Sequence, residues 1–230
     1  MRRATAALAF LLLSSLPSAA DGAAPFADAK TIDLLALLPP PPDNDSMKTK
    51  IELGEVLTLQ VTRTPAQAAQ SLADSEEDVW RFADAVGNPK FRAENLPKFT
   101  AFFARVFETE GAVVDPAKDI WKRPRPFQLS DLVKPSAKIS KSGAWPSGHA
   151  TVGTLAGIVL SSMLPELRAR IMARAWDYAE MRVIGGVHFR SDIEMGRIAG
   201  AVIAHAISRD PMFRAEFEAA RAEARTVLGL

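Results

Sequence analysis

Apolar residues recur at every third or fourth position along most of the chain, in stretches separated by short polar or proline-containing segments. In residues 96–109, for example, Phe99, Phe102, Phe103 and Val106 follow this spacing. Such a period is typical of amphipathic helices that bury one face. Because no stretch alternates apolar and polar residues as a half-exposed strand does, the pattern predicts an all-α fold, a single-domain compact helical bundle.

Capping residues and proline mark the predicted helix boundaries. Thr64 followed by a proline is typical of a helix start, and Ser75 precedes acidic residues that favour the positive end of a helix. Gly87 is typical of a helix end, and Ser191 with Glu194 has the spacing of a capping box. The predicted helices span residues 46–61, 64–73, 75–87, 96–109, 149–163, 165–182, 191–208 and 211–228.

The start of the chain has the features of a secretory signal peptide. Two arginines precede an apolar stretch over residues 4–16, and Ser18-Ala19-Ala20 supplies the small residues of a cleavage site. The apolar stretch is shorter than the roughly 20 residues that span a membrane. We predict a cleaved signal peptide over residues 1–20, an irregular proline-rich lead-in over residues 21–45, and a helical domain over residues 46–230.

Charge and composition narrow the range of functions. Removal of residues 1–20 leaves 26 basic and 27 acidic residues, with no basic stripe of the kind that binds nucleic acid. The absence of cysteine excludes a cysteine-dependent phosphatase. The chain has only three histidines, His149, His188 and His205, which disfavours a multi-histidine metal site. His205 lies in an apolar stretch and is predicted to be a packed core residue.

The tetrapeptide Pro146-Ser147-Gly148-His149 is a candidate anion site. Ser147 stands where a helix N-cap belongs, so the backbone N–H groups of Gly148 and His149 are predicted to be free at the positive end of a helix. Glycine lets an anion approach the backbone closely. His149, in the first turn, is placed to exchange a proton with the anion. On its own, the segment is equally consistent with a serine-capped helix carrying a surface histidine.

A second candidate group contains Arg182, His188 and Asp192. A carboxylate four residues after a histidine can reach back to one ring nitrogen, which fixes the tautomer and leaves the other nitrogen free as a nucleophile. We expect Asp192 to raise the pKa of His188. Taken alone, the pair is also consistent with simple capping of a helix.

Two further cations complete the candidate chemistry. Arg125 stands between two prolines, which stiffen its backbone, and its guanidinium can grip two phosphate oxygens, whereas Lys118 supplies a point charge. Lys122 and Arg123 are predicted to be surface charges.

In this order, the three groups resemble the signature of the type 2 phosphatidic acid phosphatase superfamily, which includes vanadium-dependent haloperoxidases. The length, the export signal, the Leu38-Pro-Pro-Pro-Pro42 segment and the Arg-Val-Ile-Gly-Gly stretch from Arg182 are similar to bacterial class A non-specific acid phosphatases. The resemblance implies a fold of the acid phosphatase and haloperoxidase type. It also implies small-molecule phosphate monoesters as substrates, no nucleic acid, no stable membrane insertion, no metal or other cofactor, and assembly into a homo-oligomer.

The resemblance also implies a role for each candidate residue. His188 would attack phosphorus and form a phosphohistidine, with Asp192 holding its ring, and His149 would act as general acid and then general base. An acid pH optimum follows, because His149 must be protonated while His188 is neutral. The phosphate would be held by Lys118, Arg125, Ser147, Gly148 and Arg182.

One residue departs from the family pattern. Met181 stands where the family usually has a serine before Arg182, so the support around this arginine is expected to differ. Three alternatives stay open: a vanadium-dependent haloperoxidase, a membrane lipid phosphatase of the same superfamily, and a phosphate-binding protein without turnover.

Overall fold

A computed structural model describes residues 24–230, so the predicted signal peptide lies outside the described residues. Within this range the chain is helical and contains no strand, which confirms the predicted all-α fold. The helices are α1 (Leu34–Leu37), α2 (Met47–Thr62), α3 (Pro65–Ala73), α4 (Ala83–Val86), α5 (Pro97–Trp121), α6 (Pro126–Leu129), α7 (Gly148–Met163), α8 (Arg168–Ile184), α9 (Arg190–Ile207) and α10 (Pro211–Leu228). No helix in this range is long and apolar enough to cross a bilayer.

Helix α7 is the centre of the bundle, packed against both α8 and α9. The α9 contact is close because α9 carries glycine where the two backbones meet. A Cβ atom on Gly196 would lie 2.6 Å from the Ser147 carbonyl oxygen, and one on Gly200 would lie 2.5 Å from the Thr151 carbonyl oxygen. These distances leave no room for a side chain, so the two helices are in backbone contact.

The aromatic stripe of α5 is core, as its spacing predicts. Phe99, Phe102 and Phe103 are each no more than 2% exposed. Phe102 meets Phe213 of α10 with ring centroids 5.3 Å apart. Phe26, from the lead-in, packs edge-on against Phe213 at 5.2 Å. These contacts hold the lead-in and the last helix against α5, because buried aromatic pairs stabilise the fold beyond the effect of burying apolar area alone.

Helix α5 ends twelve residues later than predicted, at Trp121, and the extension positions a candidate site residue. Val113, Val114 and Ala117 continue the buried face beyond residue 109, and this packing outweighs the interior proline, Pro116. The extension places Lys118 in the last turn of α5, before the chain reverses at Lys122 with φ of 48°.

Two predicted helix starts are wrong. The helix predicted from Ser75 begins later: the Asp78 carboxylate caps a 3₁₀ turn over Val79–Phe82 that leads into α4. Helix α9 begins at Arg190 rather than at a capping box of Ser191 and Glu194. Asp192 supplies the N-terminal acceptor instead, because its Oδ2 accepts a hydrogen bond from the Phe189 N–H at 2.8 Å.

Two further predictions need correction. The lead-in is not wholly irregular, since it contains α1, capped by the Asp33 carboxylate, and buries Ile32 and Leu34 in the core. The proline run that follows lies outside any helix. His205 is exposed rather than packed, because its position on α9 faces solvent between the buried Ala204 and Ile207.

The tight packing of α7 on α9 generates a stability prediction. In Gly200→Ala, the new Cβ meets backbone atoms that cannot move aside, so we expect a loss of about 2 kcal/mol in the free energy of unfolding. Chemical denaturation measures this loss. The matched control is Gly54→Ala, whose Cβ meets nothing within 4 Å. It should gain roughly 0.5–1 kcal/mol from helix propensity. Equal effects in the two variants would contradict the packing argument.

Candidate active site

A cavity of about 730 Å³ opens between the C-terminal half of α5 and the N-terminus of α7. Three predicted site residues, Lys118, Arg125 and His149, line it. The other predicted residues lie behind this surface, largely buried. The remaining lining residues are Ser75, Glu77, Phe107, Glu108, Glu110, Gly111, Asp115, Asp119, Ser140 and Ser142.

The helix start that the predicted anion site requires is present at the N-terminus of α7. Ser147 is the N-cap, and its Oγ accepts a hydrogen bond from the Ala150 N–H at 3.3 Å. The Lys118 Nζ lies 3.0 Å from the point that a Cβ on Gly148 would occupy. Glycine is therefore required for the lysine to reach the helix end. An ammonium and a helix N-terminus together attract a phosphate group.

His188 is held by hydrogen bonds on both ring nitrogens. Its Nδ1 lies 3.3 Å from the Asp192 Oδ2, and its Nε2 lies 2.9 Å from Arg125 Nη1. Because a guanidinium only donates, Nε2 must accept, and the ring proton must be on Nδ1. The nucleophilic lone pair is thus on Nε2, which agrees with the predicted role of Asp192.

Arg123 is the buried counter-ion of Asp192, not the surface charge that was predicted. Only 3% exposed, it contacts the Asp192 Oδ1 at 2.5 Å and the Glu52 Oε2 at 3.1 Å. Ser191 joins the same network, since its hydroxyl donates to Glu52 at 2.9 Å. This network holds the Asp192 carboxylate in place, and that carboxylate in turn orients the His188 ring. Burial raises the pKa of Asp192 to about 7, and the Arg123 guanidinium opposes this shift.

The pKa of His188 is lowered well below its usual range, contrary to the prediction that Asp192 raises it. Burial is the largest cause, and the positive charges of Arg125, Arg182 and Lys118 act in the same direction. The cations outweigh the single carboxylate. Burial and these cations therefore favour the neutral ring, whose Nε2 lone pair accepts the hydrogen bond from Arg125.

The two site arginines are oriented by backbone carbonyl groups. Arg125 donates to the Ser142 carbonyl and to the Val187 carbonyl, each at 3.0 Å. Arg182, 2% exposed, donates to the carbonyl of Asp74 at 3.2 Å. Met181, in place of the expected serine, is buried next to it. Arg182 is therefore not displaced to the surface, and Met181 fills core volume rather than contributing a polar contact.

His149 makes two polar contacts at the edge of the cavity. Its Nε2 lies 3.1 Å from the Ser75 carbonyl oxygen, which only accepts, so Nε2 carries a proton. Its Nδ1 lies 3.0 Å from the Glu77 Oε1. One proton is thus shared by His149 and Glu77. Burial and Arg182 lower the pKa of His149, while burial raises the pKa of Glu77, so the shared proton is displaced toward the carboxyl.

The chain is similar to known proteins over most of its length. A family model described as "PAP2 superfamily" matches residues 100–215, which include every predicted site residue. The chain belongs to the PAP2 superfamily. The non-specific acid phosphatase of Providencia stuartii is 30% identical over 85% of this chain and 82% of its own. That of Salmonella typhimurium is 30% identical over 81% and 78%, respectively.

A more distant likeness is found among solved structures. The first bacterial vanadium-dependent iodoperoxidase has a TM-score of 0.48 and 20% sequence identity to this PAP2 superfamily member. The match covers 74% of this chain and about half (52%) of the other. Within residues 24–230, this PAP2 superfamily member has no cluster of three or more side chains that could hold a metal ion.

Glu110 is the least expected member of the site. It is only 5% exposed, and its Oε1 has no hydrogen-bond partner among the described residues. This oxygen lies 3.1 Å from the position that a Cβ atom on Gly148 would occupy, and the Lys118 ammonium lies close to the same position. Burial raises the pKa of Glu110 well above its usual range, and the nearby Glu77 adds to the shift.

Sequence reasoning missed three functional groups: Arg123, Glu77 and Glu110. Arg123 carried a usable signal, because a basic residue before Pro124 is fixed in the same stiff segment as Arg125. The two glutamates carried none. Glu77 stands in a run of acids typical of a helix start, and Glu110 lies seven residues beyond the aromatic stripe at Phe103.

The raised pKa of Glu110 predicts how its replacement changes stability. A carboxyl whose pKa is raised on folding stabilises the protein below its unfolded value, near 4.5, and loses that contribution as pH rises through the folded value. Glu110→Gln stays neutral, so we expect it to be more stable than the wild type at pH 8 and equal to it below about pH 4.5.

Thermal melts at a series of pH values measure this difference. The control is Glu94→Gln, an exposed position far from the cavity, which should show no trend with pH. An advantage of Glu110→Gln that grows toward acid pH would contradict the assignment.

Proposed function

We propose that this PAP2 superfamily member is an exported acid phosphatase that hydrolyses phosphate monoesters through a phosphohistidine on His188, without a metal ion. The observation that carries the proposal is the hydrogen bonding of His188. Asp192 holds Nδ1–H, and the Nε2 lone pair lies among Arg125, Lys118 and Arg182. A neutral nucleophile surrounded by fixed cations is what attack on a phosphate dianion requires. The named relatives and the predicted signal peptide support the activity and the periplasmic location.

The first step transfers the phosphoryl group to the histidine. The phosphate enters between Lys118, Arg125 and the N-terminus of α7, and its oxygens take over the Arg125 donors that contact Nε2 in the free site. Nε2 then forms a bond to phosphorus as the bond to the leaving oxygen breaks. Three cations and the N–H of Gly148 stabilise the charge on the non-bridging oxygens, a role that metal ions fill in other phosphatases.

The second step returns the enzyme to its starting state. The leaving oxygen takes a proton from the pair formed by His149 and Glu77. A water molecule then attacks phosphorus, gives its proton to His149, and displaces Nε2 of His188, which releases phosphate. The bound dianion offsets the cations that lower the pKa of His149, so the substrate itself favours the protonated ring.

The covalent intermediate provides the direct test. A denaturing quench during hydrolysis of ³²P-labelled p-nitrophenyl phosphate at about pH 6 in EDTA should leave label on the protein that survives alkali and is lost in acid. We expect His188→Ala to carry no label and to lose turnover. His205→Ala, at an exposed position outside the site, is the matched control and should retain both.

Two outcomes would contradict the proposal. Full turnover by His188→Ala would exclude this histidine as nucleophile. Wild-type turnover that EDTA abolishes and an added divalent metal restores would exclude a metal-independent reaction.

The His149–Glu77 contact makes a separate prediction. Glu77→Gln keeps a hydrogen-bonding side chain but removes the carboxylate that favours a protonated ring. We expect kcat for phenyl phosphate, whose leaving group needs a proton, to fall by about 10-fold or more. For p-nitrophenyl phosphate, whose leaving group is stable as an anion, kcat should change little. The alkaline limb of the kcat profile should move to lower pH.

The comparison between the two esters identifies the role of Glu77. A merely structural role would lower both rates equally and leave the pH profile in place. Circular dichroism and thermal melts of Glu77→Gln check that the variant is folded.

A further inference from the structure

One face of α5 lines the cavity with carboxyl groups. We call this face the acidic wall, and it consists of Glu108, Glu110, Asp115 and Asp119. The only cations that line the same cavity among the described residues are Lys118 and Arg125, which the proposed reaction uses for phosphate. Once a phosphate is bound there, the acidic wall has no counter-charge within the cavity.

Glu110 distinguishes this wall from an ordinary solvated acidic surface. Glu110 is only 5% exposed, and its Oε1 has no hydrogen-bond partner among residues 24–230. A buried carboxyl without a counter-ion is costly, unless a ligand supplies the partner. The Glu110 Oε1 is directed into the site, because it lies 3.1 Å from the position that a Cβ atom on Gly148 would occupy. The Lys118 Nζ approaches the same position.

The rest of the wall has the chemistry that recognises an ammonium group. Phe107 lies on the same α5 face and lines the cavity beside the carboxylates, and an aromatic ring attracts an organic cation.

The geometry points to phosphate monoesters of amino alcohols as the preferred substrates: Lys118 and Arg125 hold the phosphate, and Glu110 with Asp115 holds the ammonium group of the leaving alcohol. The Lys118 Nζ lies 3.0 Å and the Glu110 Oε1 lies 3.1 Å from the position that a Cβ atom on Gly148 would occupy. Because the two groups are this close, a substrate can reach both when its phosphate and its ammonium group are separated by only a short carbon chain. This inference rests on the proposed phosphatase activity and names its substrate class.

The test compares two esters that differ only in the terminal group of the leaving alcohol. For the wild type, we expect 2-aminoethyl phosphate to have a kcat/KM about 10-fold above that of 2-hydroxyethyl phosphate, the gain typical of one charge-assisted hydrogen bond. Asp115→Asn should reduce this ratio several-fold and leave the rate for 2-hydroxyethyl phosphate within about twofold of the wild type. Glu110→Gln should reduce the ratio by a similar factor, whatever its effect on the rates themselves. Glu94→Gln is the control and should keep the wild-type ratio.

Several results would overturn the inference. One is a wild-type ratio of one or less. Another is a ratio that neither variant changes, as expected if Glu110 acts instead as a neutral acid that donates to the phosphate of both esters. Hydrolysis of p-nitrophenyl phosphate reports the phosphatase activity separately. If no ester is hydrolysed, calorimetric affinities of the two esters for the protein decide the question, and equal affinities reject an ammonium site.

Discussion

The buried ion pair between Arg123 and Asp192 is the contact on which the candidate site depends. A carboxylate with no exposed surface is costly to bury, and the Arg123 guanidinium offsets part of this cost, while Glu52 of α2, which shares the same guanidinium, adds to it. The same carboxylate caps α9 through the Phe189 N–H and orients the His188 ring. One side chain thus fixes a helix start, a salt bridge and a tautomer together, so the His188 ring is held by the core rather than by a surface loop.

The two histidines have opposite surroundings, which suits opposite tasks. His188 is fully enclosed and hydrogen-bonded at both ring nitrogens, and burial, together with the surrounding cations, lowers its pKa. His149 stands at the cavity edge, 20% exposed, with a carboxyl partner that shares its proton. A nucleophile benefits from a fixed lone pair, whereas a group that passes protons must meet both the leaving alcohol and water. The division follows from burial rather than from the histidines themselves.

The sequence predicted the fold class, most helix positions and the main candidate residues, because these depend on local spacing. The His188–Asp192 pair and the Ser147 cap are contacts within one turn of helix, and both were confirmed in the structure. The errors involve long-range contacts. Arg123 looked like a surface charge because its partner Glu52 is 71 residues away. Glu110 lay beyond the predicted end of its helix at residue 109, and nothing local shows that the N-terminus of α7 packs beside it.

The glycine contacts between α7 and α9 have a consequence for how this site can diversify. The anion-binding end of α7 and the start of α9, which carries Asp192, are joined by a 3.0 Å hydrogen bond from the Ser147 N–H to the Asp192 carbonyl oxygen. Backbone contact at Gly196 holds them there. The spacing between His188 and the N-terminus of α7 is therefore set by backbone contacts rather than by side chains. New substrates must be accommodated on the opposite wall, where α5 contributes side chains alone, so selectivity can drift while the reaction geometry stays constant.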